Sequence, residues 1–379
     1  MTITHISLKN WKNFTHVDVD INQRLFIVGA NAAGKSNLLD SFRFLRDITK
    51  QGGGLQYAIS SRGGLSKIRS LSARKEPDVE ISITVQDGDT KWFYLLNIVQ
   101  ENRGLHSIKV AKEIVKKNDA ILVERPNNND KDDAEQLTQT YLEQITTNKE
   151  FRDLVKFFSN IQYLHVVPQL LKFPDAFNGS DLPDDPFGKG FLQKIAHTPE
   201  KTRNKWLNKI QEALSQTVPQ LTDIKYTEDA GIPHLEVLCK NWRSHDSKQN
   251  ETQLSDGTLR IIGLLWSLFE NNGLLLLEEP ELSLHSAVVE NLANILYTAQ
   301  KAKKRQIILT THSYELLSDG GISLSEILVL EPTENGTKAY IASTKEDIVA
   351  LLEAGFSPAE SVYPSTNSQI KTISGDLFN

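Results

Sequence analysis

The chain has 379 residues, a length that predicts two compact units or one elaborated domain. With 39% hydrophobic and 24% charged residues, it has an ordinary globular composition, which excludes collagen-like, coiled-coil and wholly disordered classes. The longest uncharged apolar run, 261–269, is about half as long as a membrane span. The single cysteine, Cys239, cannot form an internal disulfide bond, and we therefore expect a cytoplasmic protein.

The net charge of −6 is spread unevenly along the chain. Residues 1–75 carry twelve Lys or Arg and four Asp, a net charge of +8, which leaves −14 for the remainder. The basic side chains of the segment 62–75 are Arg62, Lys67, Arg69, Arg74 and Lys75. Two interpretations stay open. Either the segment 62–75 contacts duplex DNA, or the basic N-terminal part of the chain, 1–75, receives nucleotide phosphates.

Alternating apolar residues in the first twenty positions predict a β-hairpin, and the continuous apolar run 24–28 predicts a buried strand. A helix is predicted from about Ser36, and the glycine-rich segment 52–64 predicts a mobile loop. The Asn- and Asp-rich segment 126–135 predicts a disordered loop, and the pattern of 136–160 predicts a helix. Short strands are predicted at 79–85, 91–99 and 120–123.

After residue 170 the composition changes. A stretch rich in Pro, Asp and Gly leads into helical patterning at 190–216, and a pair of strands follows. The later predicted elements are a helix at 258–271, a strand at 273–277, a helix at 286–302, a strand at 306–310, a strand pair at 326–330 and 337–341, and a helix at 345–354.

The segment Gly29-Ala-Asn-Ala-Ala-Gly-Lys-Ser36 matches the complete P-loop pattern, and it lies between a predicted buried strand and a predicted helix. Its glycines allow backbone N–H groups to turn toward phosphates, and the helix N-terminus adds its positive end. We expect Lys35 to reach the β- and γ-phosphates and the Ser36 hydroxyl to bind Mg²⁺. The predicted nucleotide-binding residues of this segment are Gly29, Asn31, Gly34, Lys35, Ser36 and Asn37.

Four consecutive leucines, 274–277, predict a strand in the middle of a parallel sheet, and Glu278-Glu279-Pro280-Glu281 follows at its C-terminal end. Alone, this run would also fit a solvated acidic loop. Together with a P-loop it predicts that Glu278 holds the Mg²⁺ shell and that Glu279 orients and deprotonates the attacking water.

Two further motifs complete an ordered succession along the chain. Leu254-Ser255-Asp256-Gly257 precedes an apolar helix, for which it would by itself be a good N-terminal cap. Thr311-His312 ends an apolar strand, where a lone histidine is usually structural. A functional interpretation of Ser-Asp-Gly and of Thr-His is favoured by the order in which the motifs occur: P-loop, Ser-Asp-Gly, apolar-Glu-Glu-Pro and Thr-His.

With this succession the sequence resembles the ABC-type ATPases of the SMC, RecF and OLD group. It looks most like the OLD-like, AAA_21-type predicted ATPases of bacterial anti-phage defence operons, because it has Leu-Ser-Asp-Gly, Glu-Glu-Pro-Glu, Leu284-His285 and a similar opening, Ile6 to Phe14. The specific motifs lie within 1–60 and 250–315.

The resemblance implies an α/β fold: a P-loop ABC-type ATPase head, with a mixed sheet and an antiparallel β subdomain, plus an inserted, mainly helical subdomain. We expect head lobe I at 1–168, with the P-loop and the β subdomain. The inserted, partner-contacting subdomain is expected at 169–250. Head lobe II, with the signature, the Walker B acids and the switch histidine, is expected at 251–379.

The resemblance also implies a head-to-tail homodimer that sandwiches two ATP molecules with Mg²⁺. Ser255 and Gly257 of one copy would face Lys35 and Ser36 of the other, and His312 would be the catalytic switch histidine. Gln169, which follows a predicted strand at 161–167, is the candidate for a metal-binding glutamine.

The sequence departs from the wider family pattern at two positions that bear on this chemistry. Glu278 stands where the transport and chromosome branches have Asp, so its metal contact would be longer or mediated by water. Asp256 replaces a signature glycine and places a carboxylate near the expected triphosphate.

Three functions fit these observations. The first is an ATP-switched subunit of an anti-phage system that controls a separate nuclease or toxin effector. The effector is expected to be separate because only 67 residues follow His312, too few for the nuclease domain that the OLD enzymes carry. The alternative is a RecF-like repair ATPase that binds duplex DNA through 62–75. The third, an ATPase subunit of a membrane transporter, fits the Leu-Ser-Asp-Gly signature poorly.

Overall fold

The computed structural model describes residues 1–73, 77–101, 106–176, 184–215, 218–240, 247–270 and 273–366. The chain forms two compact units. Unit 1 consists of Met1–Ile161, Gln306–His312 and Ile322–Asn379, and unit 2 consists of Gln162–Arg305 and Ser313–Gly321. The division into 1–168, 169–250 and 251–379 that the resemblance implies stays a prediction.

The strands within the described residues are β1 (Thr2–Trp11), β2 (Phe14–Asp20), β3 (Arg24–Gly29), β4 (Val79–Asp87), β5 (Thr90–Gln100), β6 (Ile108–Lys117), β7 (Ala120–Arg125), β8 (Gln162–Leu164), β9 (Leu221–Asp229), β10 (Ile232–Cys239), β11 (Ser247–Asn250), β12 (Leu275–Glu278), β13 (Ile307–Thr310), β14 (Ile327–Thr333) and β15 (Gly336–Ile341).

The α-helices in the same ranges are α1 (Lys35–Thr49), α2 (Leu55–Ser60), α3 (Leu65–Ile68), α4 (Asn128–Asp132), α5 (Arg152–Ser159), α6 (Pro168–Lys172), α7 (Phe191–His197), α8 (Glu200–Ser215), α9 (Asp256–Glu270), α10 (Ser286–Lys303), α11 (Tyr314–Leu317), α12 (Glu346–Glu353) and α13 (Pro358–Thr366). None of these helices combines the length and the apolar character that crossing a membrane requires.

Unit 1 contains an antiparallel sheet in the order β2-β1-β4-β5-β6-β7. Along β5 buried residues alternate with half-buried ones, as expected for a sheet with one face against a core, whereas β4 has three consecutive buried residues. In the same unit β3 lies between β13 and β14 and is parallel to both, and β15 is antiparallel to β14. All six residues of β3 are buried, which agrees with the continuous apolar run that predicted this strand.

Unit 2 contains the parallel pair β8 and β12 and an antiparallel sheet in the order β11-β10-β9. The sequence predicted two strands before residue 250. The third, β11, is short and polar (Ser-Lys-Gln-Asn), so it carries no apolar alternation, and its pairing with β10 places it in the sheet. Helix α9 is mostly apolar, and ten of its residues are buried.

Two predictions for unit 1 are wrong in the segment 126–160. Residues 126–135 are ordered, because the buried Arg125 guanidinium pairs with Asp130, 2.6 Å away, and Asn127 caps α4. Residues 136–160 form only one short α-helix, α5. Before it, the Glu113 and Glu143 carboxylates accept hydrogen bonds from backbone N–H groups, which favours turns over a continuous helix. Likewise, the predicted loop 52–64 contains α2.

Candidate active site

The P-loop of unit 1 connects β3 to α1, as the sequence predicted. Gly34 has φ 100° and Ala32 has φ 63°, so the backbone adopts the left-handed conformation twice within the loop. A Cβ atom on Gly29 would lie 2.6 Å from the Leu330 carbonyl oxygen of β14, and therefore only glycine fits there. Asn31 and Ser36 are exposed at the loop surface, whereas Lys35 is buried.

The Lys35 ammonium group lies within the loop. Its Nζ donates hydrogen bonds to the carbonyl oxygens of Gly29 and Ala30, each at 3.1 Å. The cation is thereby held at the start of α1, where the positive end of the helix also favours an anion. A Cβ atom fits at neither Gly29 nor Gly34, so the loop conformation depends on glycine at both positions. Glycine-rich loops of this kind can turn backbone N–H groups toward a phosphate.

A side chain that the sequence interpretation missed, Asn13, closes over this loop. Its amide nitrogen donates to the Ala33 carbonyl oxygen and to the Thr337 hydroxyl, both at 2.8 Å, and its amide oxygen accepts from Asn37 at 2.7 Å. A Cβ atom on Gly34 would overlap the Asn13 side chain. Asn37, predicted to bind nucleotide, therefore contacts the β1–β2 turn.

His312 lies at the same sheet edge as the P-loop. Strand β13 pairs in parallel with β3 so that Thr310 is opposite Ile27, and the Thr311 backbone N–H donates to the Ile27 carbonyl oxygen at 3.1 Å. His312 is the next residue and its side chain is exposed. The parallel register thus brings the predicted switch histidine level with the first P-loop glycine, at the carboxyl ends of both strands.

Helix α1 also carries a buried cluster of charges, which changes the interpretation of the segment 62–75. Arg62 lies 2.9 Å from both Asp40 and Asp47, and its side chain is 9% exposed. Burial alone would raise the pKa of Asp40, but the adjacent cations Arg62 and Lys12 outweigh it and lower the pKa. Arg62 therefore belongs to the interior of unit 1 and offers no charge to DNA. Lys67 is exposed, while Arg74 and Lys75 lie outside the described residues.

In unit 2, strand β12 ends at the two glutamates, as predicted. Tyr163 of the neighbouring strand β8 donates its hydroxyl to the Glu278 Oε2 atom, and the His165 Nδ1 atom lies 3.2 Å from the Glu278 carbonyl oxygen. Both contacts follow from the parallel register, which places Leu276 of β12 opposite Tyr163. The orientation of Glu278 is thus fixed by a second residue, Tyr163, that the sequence interpretation had assigned only to a strand.

Glu279 has φ 44°, a left-handed conformation that is uncommon for a residue with a side chain. Its carbonyl oxygen accepts from the Leu282 N–H at 3.2 Å and lies 3.4 Å from the Arg260 guanidinium. Burial lowers the pKa of Arg260, while Glu281, Asp256 and Glu279 act in the opposite direction. Residues in this conformation cluster at functional sites, and the catalytic role of Glu279 stays a prediction.

The Ser-Asp-Gly motif begins α9. The exposed Ser255 hydroxyl accepts a hydrogen bond from the Thr258 N–H at 3.1 Å, and Ser255 therefore caps the helix. A Cβ atom on Gly257 would lie 2.6 Å from the Ser283 carbonyl oxygen, so the glycine allows the motif to pack against the loop after the glutamates. In that loop Leu282 is 40% exposed, and His285 caps α10.

Asp256 contacts α6. Its Oδ2 atom accepts from the Gln169 Nε2 atom at 2.7 Å, and its Oδ1 atom lies 2.6 Å from the Lys172 Nζ atom. Gln169, predicted as a metal ligand, therefore binds the carboxylate of the signature motif through its amide nitrogen. Of the predicted metal-binding residues, Ser36 belongs to unit 1, and Glu278 and Gln169 belong to unit 2.

A family model described as "AAA domain, putative AbiEii toxin, Type IV TA system" matches residues 25–318, which is more than half of the chain. The chain belongs to the AAA_21 family. It is an ATPase, as its P-loop and glutamates predicted. No curated protein matches the chain.

Solved structures of SMC head domains share the fold of this AAA_21 ATPase. The SMC head domain from Thermotoga maritima has 14% sequence identity and a TM-score of 0.51, over 90% of this chain and 99% of that chain. An SMC head bound to the C-winged helix domain of ScpA has 15% identity and a TM-score of 0.53, over 90% and 98% of the two chains. These matches confirm the predicted α/β fold of a P-loop ATPase head.

No group of three or more His, Cys, Asp or Glu side chains in the described ranges is arranged to hold a metal ion by itself. Mg²⁺ keeps several water ligands and binds through few protein groups and the substrate phosphates. Ser36 and Glu278 stay its predicted ligands.

Proposed function

We propose that the chain is the Mg²⁺-dependent, ATP-switched subunit of a bacterial anti-phage defence system. In this proposal two copies close head to tail on ATP and thereby control a separate nuclease or toxin effector. The observation that carries the proposal is the exposed Ser255 hydroxyl at the N-terminus of α9. Its oxygen contacts both the Thr258 N–H, at 3.1 Å, and the Thr258 hydroxyl, at 2.8 Å. With the Thr258 hydroxyl as the donor of the second contact, the Ser255 O–H would donate to a phosphate oxygen.

Each residue of the site has a chemical role in this proposal. Lys35 would exchange its loop carbonyl contacts for phosphate oxygens, and the Ser36 hydroxyl with the Glu278 carboxylate would hold Mg²⁺. Bound ATP supplies the phosphoryl group that water accepts, and Mg²⁺ offsets its negative charge. Glu279 would accept the proton of that water, and His312, level with Gly29 in the sheet, would contact the γ-phosphate side.

The head-to-tail arrangement is supported by the surface that surrounds Ser255. Gly257 packs against Ser283, so the signature motif and the loop 281–285 form one continuous surface within unit 2. That surface also exposes Leu282, which a second copy would cover in this arrangement. A second copy would place its P-loop against this surface, with each copy supplying half of both sites.

The defence role is supported by the family description, which names a toxin and a toxin–antitoxin system. A separate nuclease or toxin effector is the partner that we propose. The subdomain at 169–250 is the candidate contact region, because its sheet carries an apolar side chain, Ile232, that is 58% exposed. The RecF-like alternative relies on a basic surface at 62–75, and Arg62 is committed to Asp40 and Asp47 instead.

The experiment is to express the Glu279→Gln variant with its neighbouring genes and to identify what co-purifies in the presence of ATP. Without a base to deprotonate water, the variant should accumulate as an ATP-bound dimer carrying a stoichiometric second protein. Lys35→Ala, which removes the phosphate-binding cation, is the matched control and should stay monomeric. A dimer that retains duplex DNA and no protein would replace the defence proposal with the repair function, and a monomer in ATP would refute the dimer.

A further inference from the structure

Asp256 presents an electrostatic problem that its surroundings solve. In the signature motif its carboxylate is adjacent to Ser255, the residue proposed to meet the triphosphate of a second copy. A bare carboxylate there would repel the phosphates, and the repulsion would be weakly screened once water is excluded by dimer closure. The Asp256 side chain is 40% exposed, so water screens its charge in the open molecule, and a protein partner is needed once closure excludes that water.

Both oxygens of this carboxylate are occupied by side chains of one short helix, α6. Lys172 contacts Oδ1 at 2.6 Å and Gln169 contacts Oδ2 at 2.7 Å. The two residues are three positions apart and therefore lie on one face of α6. The Lys172 side chain is only 13% exposed, so it is held against its partner rather than extended into solvent.

Helix α6 is itself fixed against α9 by close packing. The Leu171 side chain is buried between two glycines: a Cβ atom on Gly263 of α9 would lie 3.2 Å from its Cδ2, and one on Gly188 would lie 2.9 Å from its Cδ1. Larger residues at these positions would push α6 away from α9. The distance between Lys172 and Asp256 is thus set by the fold of unit 2 and does not depend on chance contact between surface side chains.

We propose that Lys172 is a positioning residue for the ATP-driven dimer: it neutralises Asp256 and, with Gln169, turns the carboxylate so that the N-terminus of α9 accepts a triphosphate. This inference rests on the function proposed above. It explains how the motif functions with Asp in place of the signature glycine. Lys172 acts through Asp256 and touches no reacting atom, and the substrate class it serves is a nucleoside triphosphate with its full γ-phosphate charge.

The test measures the ATP-dependent monomer–dimer equilibrium of the full-length chain carrying Glu279→Gln, by analytical ultracentrifugation at low and at physiological salt. Adding Lys172→Met keeps the aliphatic stem and removes the charge, and it should weaken the dimer about tenfold or more, chiefly at low salt. Adding Asp256→Gly as well should restore the dimer, because the uncompensated carboxylate is then absent. Lys248→Met, which removes a lysine 3.1 Å from Glu236 on the sheet of unit 2, is the matched control and should leave the dimer unchanged.

An equally tight dimer with Lys172→Met would overturn the inference. So would a loss of dimer that Asp256→Gly does not restore, because Lys172 would then serve only the stability of the fold. If the Glu279→Gln parent itself stays monomeric with ATP, the proposed function fails and the inference fails with it. The parent variant therefore separates the two failures.

Discussion

The two units hold their parts of the site by different physical means. In unit 1, the P-loop is shaped by neutral hydrogen bonds from Asn13, by the close approach of the Leu330 carbonyl oxygen to Gly29 and by the contact of Gly34 with the Asn13 side chain. In unit 2, by contrast, the Asp256 carboxylate is held by a cation and an amide, and Glu278 by a phenolic hydroxyl. The P-loop should therefore keep its shape across a wide range of salt, whereas the signature motif should depend on charge balance.

Of the variants considered, Lys35→Ala should have the largest effect on ATPase activity, because it removes the cation from a loop that is otherwise shaped by neutral contacts. We expect ATPase activity to fall at least about a hundredfold, since phosphoryl transfer depends mostly on positioning and charge stabilisation. Steady-state ATP hydrolysis measures the loss, with Lys67→Ala, an exposed lysine of the same unit, as the control. Full activity in Lys35→Ala would contradict the P-loop assignment.

Arg62→Met tests the charged cluster further along α1. Without Arg62 two buried carboxylates lose their shared partner, and the free energy of unfolding at pH 7 should fall by about 3 kcal/mol. Urea unfolding measures it, with Lys67→Met as the control. ATP hydrolysis per folded molecule should change little, because the cluster supports α1 and not the loop.

The acid dependence of the same variant sharpens this prediction. The pKa values of Asp40 and Asp47 lie below the ordinary 3.8, although burial would raise both. For Asp40 the charge of Arg62 outweighs burial, and for Asp47 the charges of Arg46 and then Arg62 do so. The folded chain thus binds fewer protons than the unfolded chain. The stability that these groups supply is complete above about pH 4 and is lost as the pH falls further. In Arg62→Met this acid-induced loss should be smaller, and an unchanged acid profile would be evidence against the pairing.

The predictable part of the site is the part that is contiguous in sequence. The P-loop, the two glutamates and the Ser-Asp-Gly motif each carry their chemistry within a few residues, so spacing alone located them. Asn13, Tyr163 and Lys172 act on residues that are 20 to 324 positions away, through strand register or helix packing. No local pattern contains that information, although Asn13 lies within the opening motif Ile6 to Phe14.

The same reasoning explains the errors in the fold. Composition predicted disorder for 126–135 because Asn and Asp disfavour helices and strands. Asp130 is nevertheless buried, since it meets the Arg125 guanidinium, and Arg125 also contacts Glu113, a carboxylate from another strand. The composition of a segment does not show that one of its carboxylates pairs with a buried arginine. For this reason the prediction of disorder at 126–135 was wrong.

Asn13→Ala tests the neutral hydrogen bonds that shape the P-loop of unit 1. It removes three hydrogen bonds that join the β1–β2 turn to the P-loop, to Asn37 and to Thr337, and ATP affinity should fall about tenfold. Because no charge changes, the loss should be the same at low and at high salt, unlike that of Lys172→Met. Calorimetric ATP titration at two salt concentrations measures it, and Asn97→Ala, an amide of the same unit paired with Asp78 and Glu80, is the control. A salt-dependent loss would remove the distinction between the units.

Tyr163→Phe should have the smallest effect, because it deletes one hydroxyl and leaves the β8–β12 pairing intact. Glu278 would lose the donor that orients its carboxylate, and groups that orient metal ligands tune metal affinity. We expect a several-fold, and at most about tenfold, increase in the Mg²⁺ concentration needed for half-maximal ATP hydrolysis, with a smaller change in kcat at saturating Mg²⁺. Tyr226→Phe, which removes a hydroxyl from an exposed pair with Glu228 in the same unit, should leave the Mg²⁺ titration unchanged. If both variants respond to Mg²⁺ as the unmodified chain does, Glu278 is positioned without Tyr163. The position of Glu278 would then be set by the backbone of β12 and not by a side-chain hydrogen bond.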